Sequence, residues 1–261
     1  MKNSKPCANE RPLRLKALSA VLFSATLIVT NPAIAGLKVD TSRVVFTSLM
    51  KEARITVSNT GNDEIIAQSW LESDEGNEAA ELFVITPPLT RVLPNEKKVF
   101  RILYQGTGLA NDKESLAWIN FQQIPTRTTA PNTLKLAIRQ RIKLFFRPDA
   151  LPDRVEDAVS QLRWSLDLSG STPQVLIENP GSFYVSMAGL DVKTAHGETL
   201  LKTNSMVAPQ STTLLAIPPR DDARTLNIAF LVVDDFGGRK AWQVEVSRLA
   251  TGQATPANTH D

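Results

Sequence analysis

The chain reads as all-β, two sandwiches in series behind an export leader. Three observations carry this. Apolar residues alternate at period two along most of the chain, and no long segment keeps a helical period. Turn residues punctuate the alternation at short, regular intervals. A proline-rich break, Arg147-Pro148-Asp149 through Pro152-Asp153, separates two such sets, because proline cannot continue a strand ladder.

The leader comes first. Lys2, Lys5, Arg11, Arg14 and Lys16 form a basic start, Ala17–Val29 is an apolar run of 13, and Ala33-Ile34-Ala35 is a small-residue cleavage pattern. These are the parts of a secretory signal, and the run is short for a membrane span. Residues 1–35 are therefore set aside, leaving 226 residues from Gly36. Removal takes five basic residues and one acid, so Lys+Arg falls from 29 to 24 and Asp+Glu from 27 to 26. The net charge moves from +2 to −2, and no nucleic-acid surface is expected. The only cysteine, Cys7, leaves with the leader, so no disulfide is expected and burial must supply stability.

In the first set the strands expected are Lys38–Phe46, Arg54–Ser58, Ile65–Leu71, Leu82–Thr86, Val99–Tyr104, Ala117–Gln122 and Asn132–Phe146. The turns between them include Asn59–Asp63, Asp74–Asn77, Pro87-Pro88 and Pro94-Asn95. Seven strands over about 110 residues suit an immunoglobulin-like sandwich. The second set, Trp164–Leu168, Val175–Glu178, Phe183–Ala188, Thr212–Ile217, Leu226–Val233 and Trp242–Val246, suits a smaller one. The expected boundaries are 36–152 and 153–249, with 250–261 a disordered tail of small polar residues.

The segment Asn132–Phe146 is unusual. A strand of about 15 residues is far longer than the ordinary five or six. Leu134, Leu136 and Ile138 share one face, opposite Lys135 and Arg139. Part of that backbone edge and aliphatic row should lack a partner within its own domain, a hazard that proteins normally suppress. Its presence suggests that another chain pairs there.

Signs of catalysis are sparse. The two histidines, His196 and His260, fall in an expected turn and in the tail, and no ligand spacing suggests a metal. Nucleophile-elbow, P-loop and dinucleotide motifs are absent. Asp221-Asp222 and Asp234-Asp235 read as solvated turn acids. No catalytic residue, metal or cofactor is expected. The notable charges are cations inside apolar strands, Arg43 and Lys143. They either snorkel to solvent or line a groove that receives an anion.

Several motifs, in order, are Thr86-Pro87-Pro88-Leu89-x-Arg91, Glu114-Ser115-Leu116-x-Trp118-Ile119-Asn120, Asn132-Thr133-Leu134-x-Leu136-Ala137-Ile138, Arg141 through Pro148, and Asp235-Phe236-Gly237-Gly238. Together these resemble the periplasmic pilus-assembly chaperones of the chaperone–usher pathway (PapD-like), over essentially the whole mature chain. The short connection Pro125–Asn132 is similar to the short-loop subgroup.

The resemblance implies two immunoglobulin-like domains arranged as a boomerang around a cleft. It implies donation of the 132–146 strand to a pilus subunit that lacks its own last strand, with Leu134, Leu136 and Ile138 inserted. It further implies that Arg43 and Lys143 bind the subunit's C-terminal carboxylate, and that Glu114, Arg147 and Asp235 link the domains by ion pairing. The implied partners are pilus subunits and an outer-membrane usher, with self-association of the free form a further possibility. One tension stands. Lys143 has opposite parity to the aliphatic row, so alternation puts it on the other face unless twist or a bulge intervenes. The rival reading is a structural pilus subunit or two-domain adhesin, which would need an N-terminal donor extension longer than Gly36–Asp40.

Overall fold

A computed structural model describes residues 36–125, 136–151, 154–219, 225–247 and 251–257. The leader expected at 1–35 and Leu134 of the aliphatic row lie outside the described residues.

Two sandwiches follow one another, each with its own core. In the first, β1 (Leu37–Val39), β3 (Ala53–Asn59), β7 (Lys97–Tyr104) and β5 (Phe83–Thr86) form one sheet in the order β1-β3-β7-β5. The other sheet has the order β2-β9-β8-β4-β6. Its strands are β2 (Arg43–Thr47), β9 (Arg139–Arg147), β8 (Ser115–Pro125), β4 (Ile65–Glu72) and β6 (Leu89–Val92). Between them lie Phe46, Ile55, Phe100, Ile119, Phe121 and Leu144, all fully buried. Phe46, Phe83, Tyr104 and Phe146 add an aromatic cluster with ring centroids 4.7–6.4 Å apart.

The second sandwich repeats the plan. Its smaller sheet is β14 (Ser211–Ala216), β11 (Gln174–Asn179), β10 (Arg163–Asp167) and β17 (Gly252–Gln253). Its larger sheet is β13 (Thr199–Val207), β12 (Val185–Thr194), β15 (Thr225–Val233), β16 (Arg239–Ser247) and β18 (Thr255–Pro256). Trp164, fully buried, packs 5.2 Å from Phe230 at the centre of this core.

Four expectations need correction. The expected strand Lys38–Phe46 is two strands, β1 pairing with β3 and β2 pairing in parallel with β9 in the other sheet. The break has a local cause. The Thr41 hydroxyl accepts from Arg43 N–H and donates to Arg43 C=O, so a side chain competes with the ladder there. Second, over the described part of the long segment the ladder begins at Arg139, not Leu136, and ends at Arg147, while residues 132–135 lie outside the described residues. Leu136–Ile138 precede it outside any ladder, tied in by a bond from Gln123 N–H to Ile138 C=O (2.9 Å).

Third, a short helical stretch, Val155–Asp157 and Ala158–Gln161, joins the sandwiches and buries Ala158 and Val159 in the second core. Being so short, it left no period to read. Fourth, the tail is ordered over 251–257. Gly252 pairs with Trp164, Thr255 with Gln243, and Ala254 is buried in the core. Small residues there fit where the chain crosses from one sheet to the other, rather than signalling disorder. Strands β6 and β13 were also missed, both being half-exposed edges with weak alternation.

The same device closes a turn in each half. Asn59 is buried and donates to the carbonyls of Asp63 and Val92 while accepting from Gly61 N–H. Asn179 is equally buried, donates to Phe183 and Ala208 carbonyls and accepts from Gly181 N–H. Each amide satisfies backbone groups that the turn removes from the ladder. Asn179→Ala should therefore cost about 1–3 kcal/mol for each group left unpaired. Exposed Asn62→Ala should fall within about 0.5 kcal/mol of the parent. Urea unfolding monitored by tryptophan fluorescence makes the comparison, and equal costs would refute the role.

Candidate functional site, a cationic cleft beside an extended strand

Strand β9 organises the site because its two faces do different work. Ile142, Leu144 and Phe146 point into the first core. Arg139, Arg141, Lys143, Phe145 and Arg147 alternate with them on the other face. The ladder to β8 runs unbroken from Arg139–Gln122 to Phe146–Ser115, so no bulge occurs. Lys143 thus faces away from the core by simple alternation, and the parity tension is resolved. The aliphatic row extends the core-facing side, while the cation faces the second sandwich. Leu136 (68 % exposed) and Ile138 (38 % exposed) belong to that row and lie bare beyond the core.

Arg43 on β2 stands directly opposite Lys143 on β9, and the second sandwich closes over both. Arg43 is only 9 % exposed, and its Nη1 donates to the Val233 carbonyl at 2.8 Å. Its Nε is buried without a partner, and the guanidinium lies 5.7 Å over the Phe145 ring. Lys143 Nζ donates to Ser186 Oγ at 2.9 Å and sits 6.0 Å from the Trp118 ring. Among the described residues neither cation forms an ion pair. Burial lowers the Arg43 pKa, against the pull of Asp235, Asp234 and Glu114. Burial, and then the charge of Arg43, lower Lys143 to about 8. Two adjacent, part-desolvated cations without an ion-pair partner are chemically suited to charge-assisted hydrogen bonds with an anion.

A separate set of charges joins the sandwiches. Arg147 Nε donates to Glu114 Oε1 at 2.7 Å, and its Nη1 and Nη2 donate to Asp235 Oδ2 and Oδ1 at 2.7 and 3.0 Å. Glu114, 3 % exposed, accepts with Oε2 from Tyr184 N–H at 2.8 Å, and its own N–H donates to Ser182 C=O at 2.9 Å. The guanidinium also lies 5.2 Å over Phe183. Burial raises the Glu114 pKa, while Arg147 opposes the rise. Burial would lower Arg147, but its bonds to Asp235 and Glu114 win and raise it. Val233, Ser182, Tyr184 and Ser186 were missed in the sequence. Serines set in an otherwise apolar run were the available signal.

Sequence reasoning also missed a lateral brace on the outer face of β9. Arg139 reaches across β8 to β4, donating to Asn120 Oδ1 (2.9 Å) and Glu72 Oε2 (2.5 Å) and lying 4.9 Å over Trp70. Arg141 lies 4.0 Å over Trp118 and donates to Asp74 Oδ1 at 3.1 Å. The indole N–H groups of Trp70 and Trp118 donate to Glu72 and Asp74, closing the network. Strand β2 covers only Lys143–Arg147, so the brace holds the preceding part of β9 from the β8 side alone. Its opposite edge is left unpaired among the described residues.

Residues 36–152 match the family of pili and flagellar-assembly chaperones, PapD N-terminal domain, and residues 157–243 match the pili assembly chaperone PapD C-terminal domain. The LpfB chaperone protein of Salmonella typhimurium is 31 % identical over 228 residues, covering 86 % of this chain and 94 % of that protein. This chain belongs to the PapD-like pilus-assembly chaperones.

The solved structures agree with the family assignment. A YadV chaperone superposes with a TM-score of 0.68 at 29 % identity, covering 81 % of this chain and all of that one. YadV of Escherichia coli is named a probable fimbrial chaperone. The Salmonella enterica SafB chaperone in complex with SafA pilin gives a TM-score of 0.64 at 27 % identity, covering 85 % and 96 %. In this PapD-like chaperone, strand β9 therefore sits in a fold that its relatives use for pilus assembly.

Two outcomes follow. Arg147→Ala would strand buried Glu114 without its cation and should destabilise by about 3–5 kcal/mol. Asp235→Ala, which leaves Arg147 with Glu114, should cost less. Urea titration ranks the pair, and the reverse order would remove the bridging role. Lys143 carries a pH signature. With a folded pKa near 8 against 10.5 unfolded, the unfolded chain binds more protons between these values. Wild-type stability should therefore gain with rising pH from about 8 to 10.5, relative to Lys143→Met. Matched unfolding curves across that window check it, and parallel profiles would contradict it.

Proposed function

We propose that this chaperone works in the periplasm, holds pilus subunits by lending them its own strand, and hands them to an outer-membrane usher without catalysis or cofactor. The observation that carries the reading is one strand, β9, with a distinct feature at each end. At one end is a bare aliphatic row on an open edge, and at the other a pair of cations without counter-charge. A relative named as a periplasmic chaperone, SfaE, is 27 % identical to this chain, and SafB is solved with a pilin. Both support the location and partner class. Residues 1–35 would serve as the export signal, and N-terminal sequencing of the mature protein should then begin at Gly36.

In this reading a subunit lacking its last strand accepts the segment Asn132–Phe146 along its open edge. Ladder hydrogen bonds supply affinity that tolerates sequence, and Leu134, Leu136 and Ile138 fill the subunit's groove. Each aliphatic buried is worth roughly 1.5–3 kcal/mol, a large share of the 5–15 kcal/mol that holds a typical domain. Arg43 and Lys143 grip the subunit's terminal carboxylate. Anchoring a chain end fixes register, because a slip of one residue would turn every inserted side chain away. Glu114, Arg147 and Asp235 hold the two sandwiches so that both cations face one point. Release follows when another strand replaces the loan, and delivery to the usher precedes it.

The test is capture of a subunit co-expressed in the periplasm. Arg43→Ala with Lys143→Ala should abolish co-purification while the chaperone keeps its wild-type circular dichroism. Leu136→Glu should weaken capture at least tenfold, because a carboxylate would enter an apolar groove. Undiminished capture by the double variant would refute the anchor, and by Leu136→Glu the strand loan.

A further inference from the structure

A cavity of about 300 Å³ opens beside Arg43, between the two sandwiches. Arg43 and Phe145 form its wall on the side of the first sandwich. Most of the opposite wall is apolar, made by Val155, Val159, Val185, Val232 and Trp242, with Phe236 at the rim. Phe236 is 99 % exposed on its turn, an expensive place for a large aromatic in water. Lys240 lies 5.4 Å from the Trp242 ring and joins Arg43 and Arg147 as a cation of the lining.

The acids around the cavity are already engaged. Both oxygens of Asp235 accept from Arg147, and those of Glu114 accept from Arg147 and Tyr184 N–H. Asp234 Oδ1 is turned into its own loop, accepting from Phe236 N–H at 2.9 Å and Gly238 N–H at 2.7 Å. Glu156 sits 3.6 Å from Arg154. What remains without a partner is the Nε of Arg43, on a lining side chain nine-tenths buried. A cation next to an apolar chamber of this size suits one amphipathic carboxylate, and the volume is at the small end of ligand pockets.

We propose that this cavity receives the side chain of a bound subunit's C-terminal residue and selects a large apolar one. The proposal rests on the reading that Arg43 and Lys143 grip the terminal carboxylate. The anchor then fixes where the chain ends, and the chamber reads which residue ends it. A glycine at that position would leave the chamber unfilled, and a charged residue would set an unpaired charge against its apolar wall. Discrimination therefore adds to the sequence-tolerant ladder at a single place.

Heteronuclear NMR of the mature protein, titrated with 3-phenylpropanoate, acetate and 3-phenylpropanamide, tests this. Phenylpropanoate should bind about tenfold tighter than acetate and shift both Arg43 Nε–H and the Trp242 indole. Val155→Ser and Val232→Ser should narrow that gap to about twofold and leave acetate unchanged. The comparison of ligands on the wild-type protein stands alone if either variant fails to fold. Equal affinities, with Arg43 responding to both acids, would overturn the chamber and leave the anchor standing. No response of Arg43 or Lys143 to either acid would overturn the anchor and the proposal with it. An amide that binds as tightly as the acid would also overturn the proposal, since the chamber would then act without the charge.

Discussion

The alternation of side chains along β9 is the constraint on which the rest of this molecule depends. Period two splits one strand into a core row and a cleft row with nothing shared between them. Leu144 and Phe146 tie the strand to the first sandwich, while Lys143, Phe145 and Arg147 face the second. Because the ladder to β8 has no bulge, the two rows hold their assignments along the whole strand. The exposed aliphatics at 136 and 138 precede the ladder and share the sequence parity of its core row.

That geometry explains the otherwise unfavourable electrostatics. Desolvating a cation is costly unless it is paired, and the chain holds three close together at Arg43, Lys143 and Arg147. Only Arg147 is paired, with two carboxylates, one of them almost fully buried. Glu114 and Asp235 are spent on it, so they cannot neutralise the other two, although their fields reach Arg43. The paired cation and its unpaired neighbour Lys143 are thus separated by one residue, Phe145, along one strand face. A fixed bidentate fork holds the domains, and a neighbouring guanidinium and ammonium, bonded only to neutral oxygens, keep their charge available.

Much of this was legible in the sequence. Alternation and turn residues located most strands, and the interruptions of apolar runs by Arg43 and Lys143 singled out the two cations, since charge inside a strand demands an account. What was lost was lost for physical reasons. The switch of sheets at Thr41 depends on a side-chain hydrogen bond that no period reveals. Strands β6 and β13 are edges, and half-exposed edges have little need for alternation. The ordered tail is small and polar because it crosses between sheets, a composition that otherwise signals disorder. The partners of the cations, Val233 C=O and Ser186 Oγ, come from strands 190 and 43 residues away in sequence, and only folding brings them in.

The brace of Arg139 and Arg141 answers a problem that the strand's own geometry creates. Ahead of Lys143 the strand has a ladder partner on one side only among the described residues, and an edge left unpaired is a hazard that proteins normally manage. The chain stiffens this part of β9 sideways. Two guanidiniums stack on indoles whose N–H groups are fixed by Glu72 and Asp74, which accept in turn from the same arginines. Each exposed ion pair alone is worth little, but cation–π contact and shared acids make a network whose members fix one another's rotamers. All of it lies on the β8 side and on the outer face, so the open edge and the aliphatic row stay untouched. Order on the β8 side of β9 is thus reached without any contact that would close its other edge.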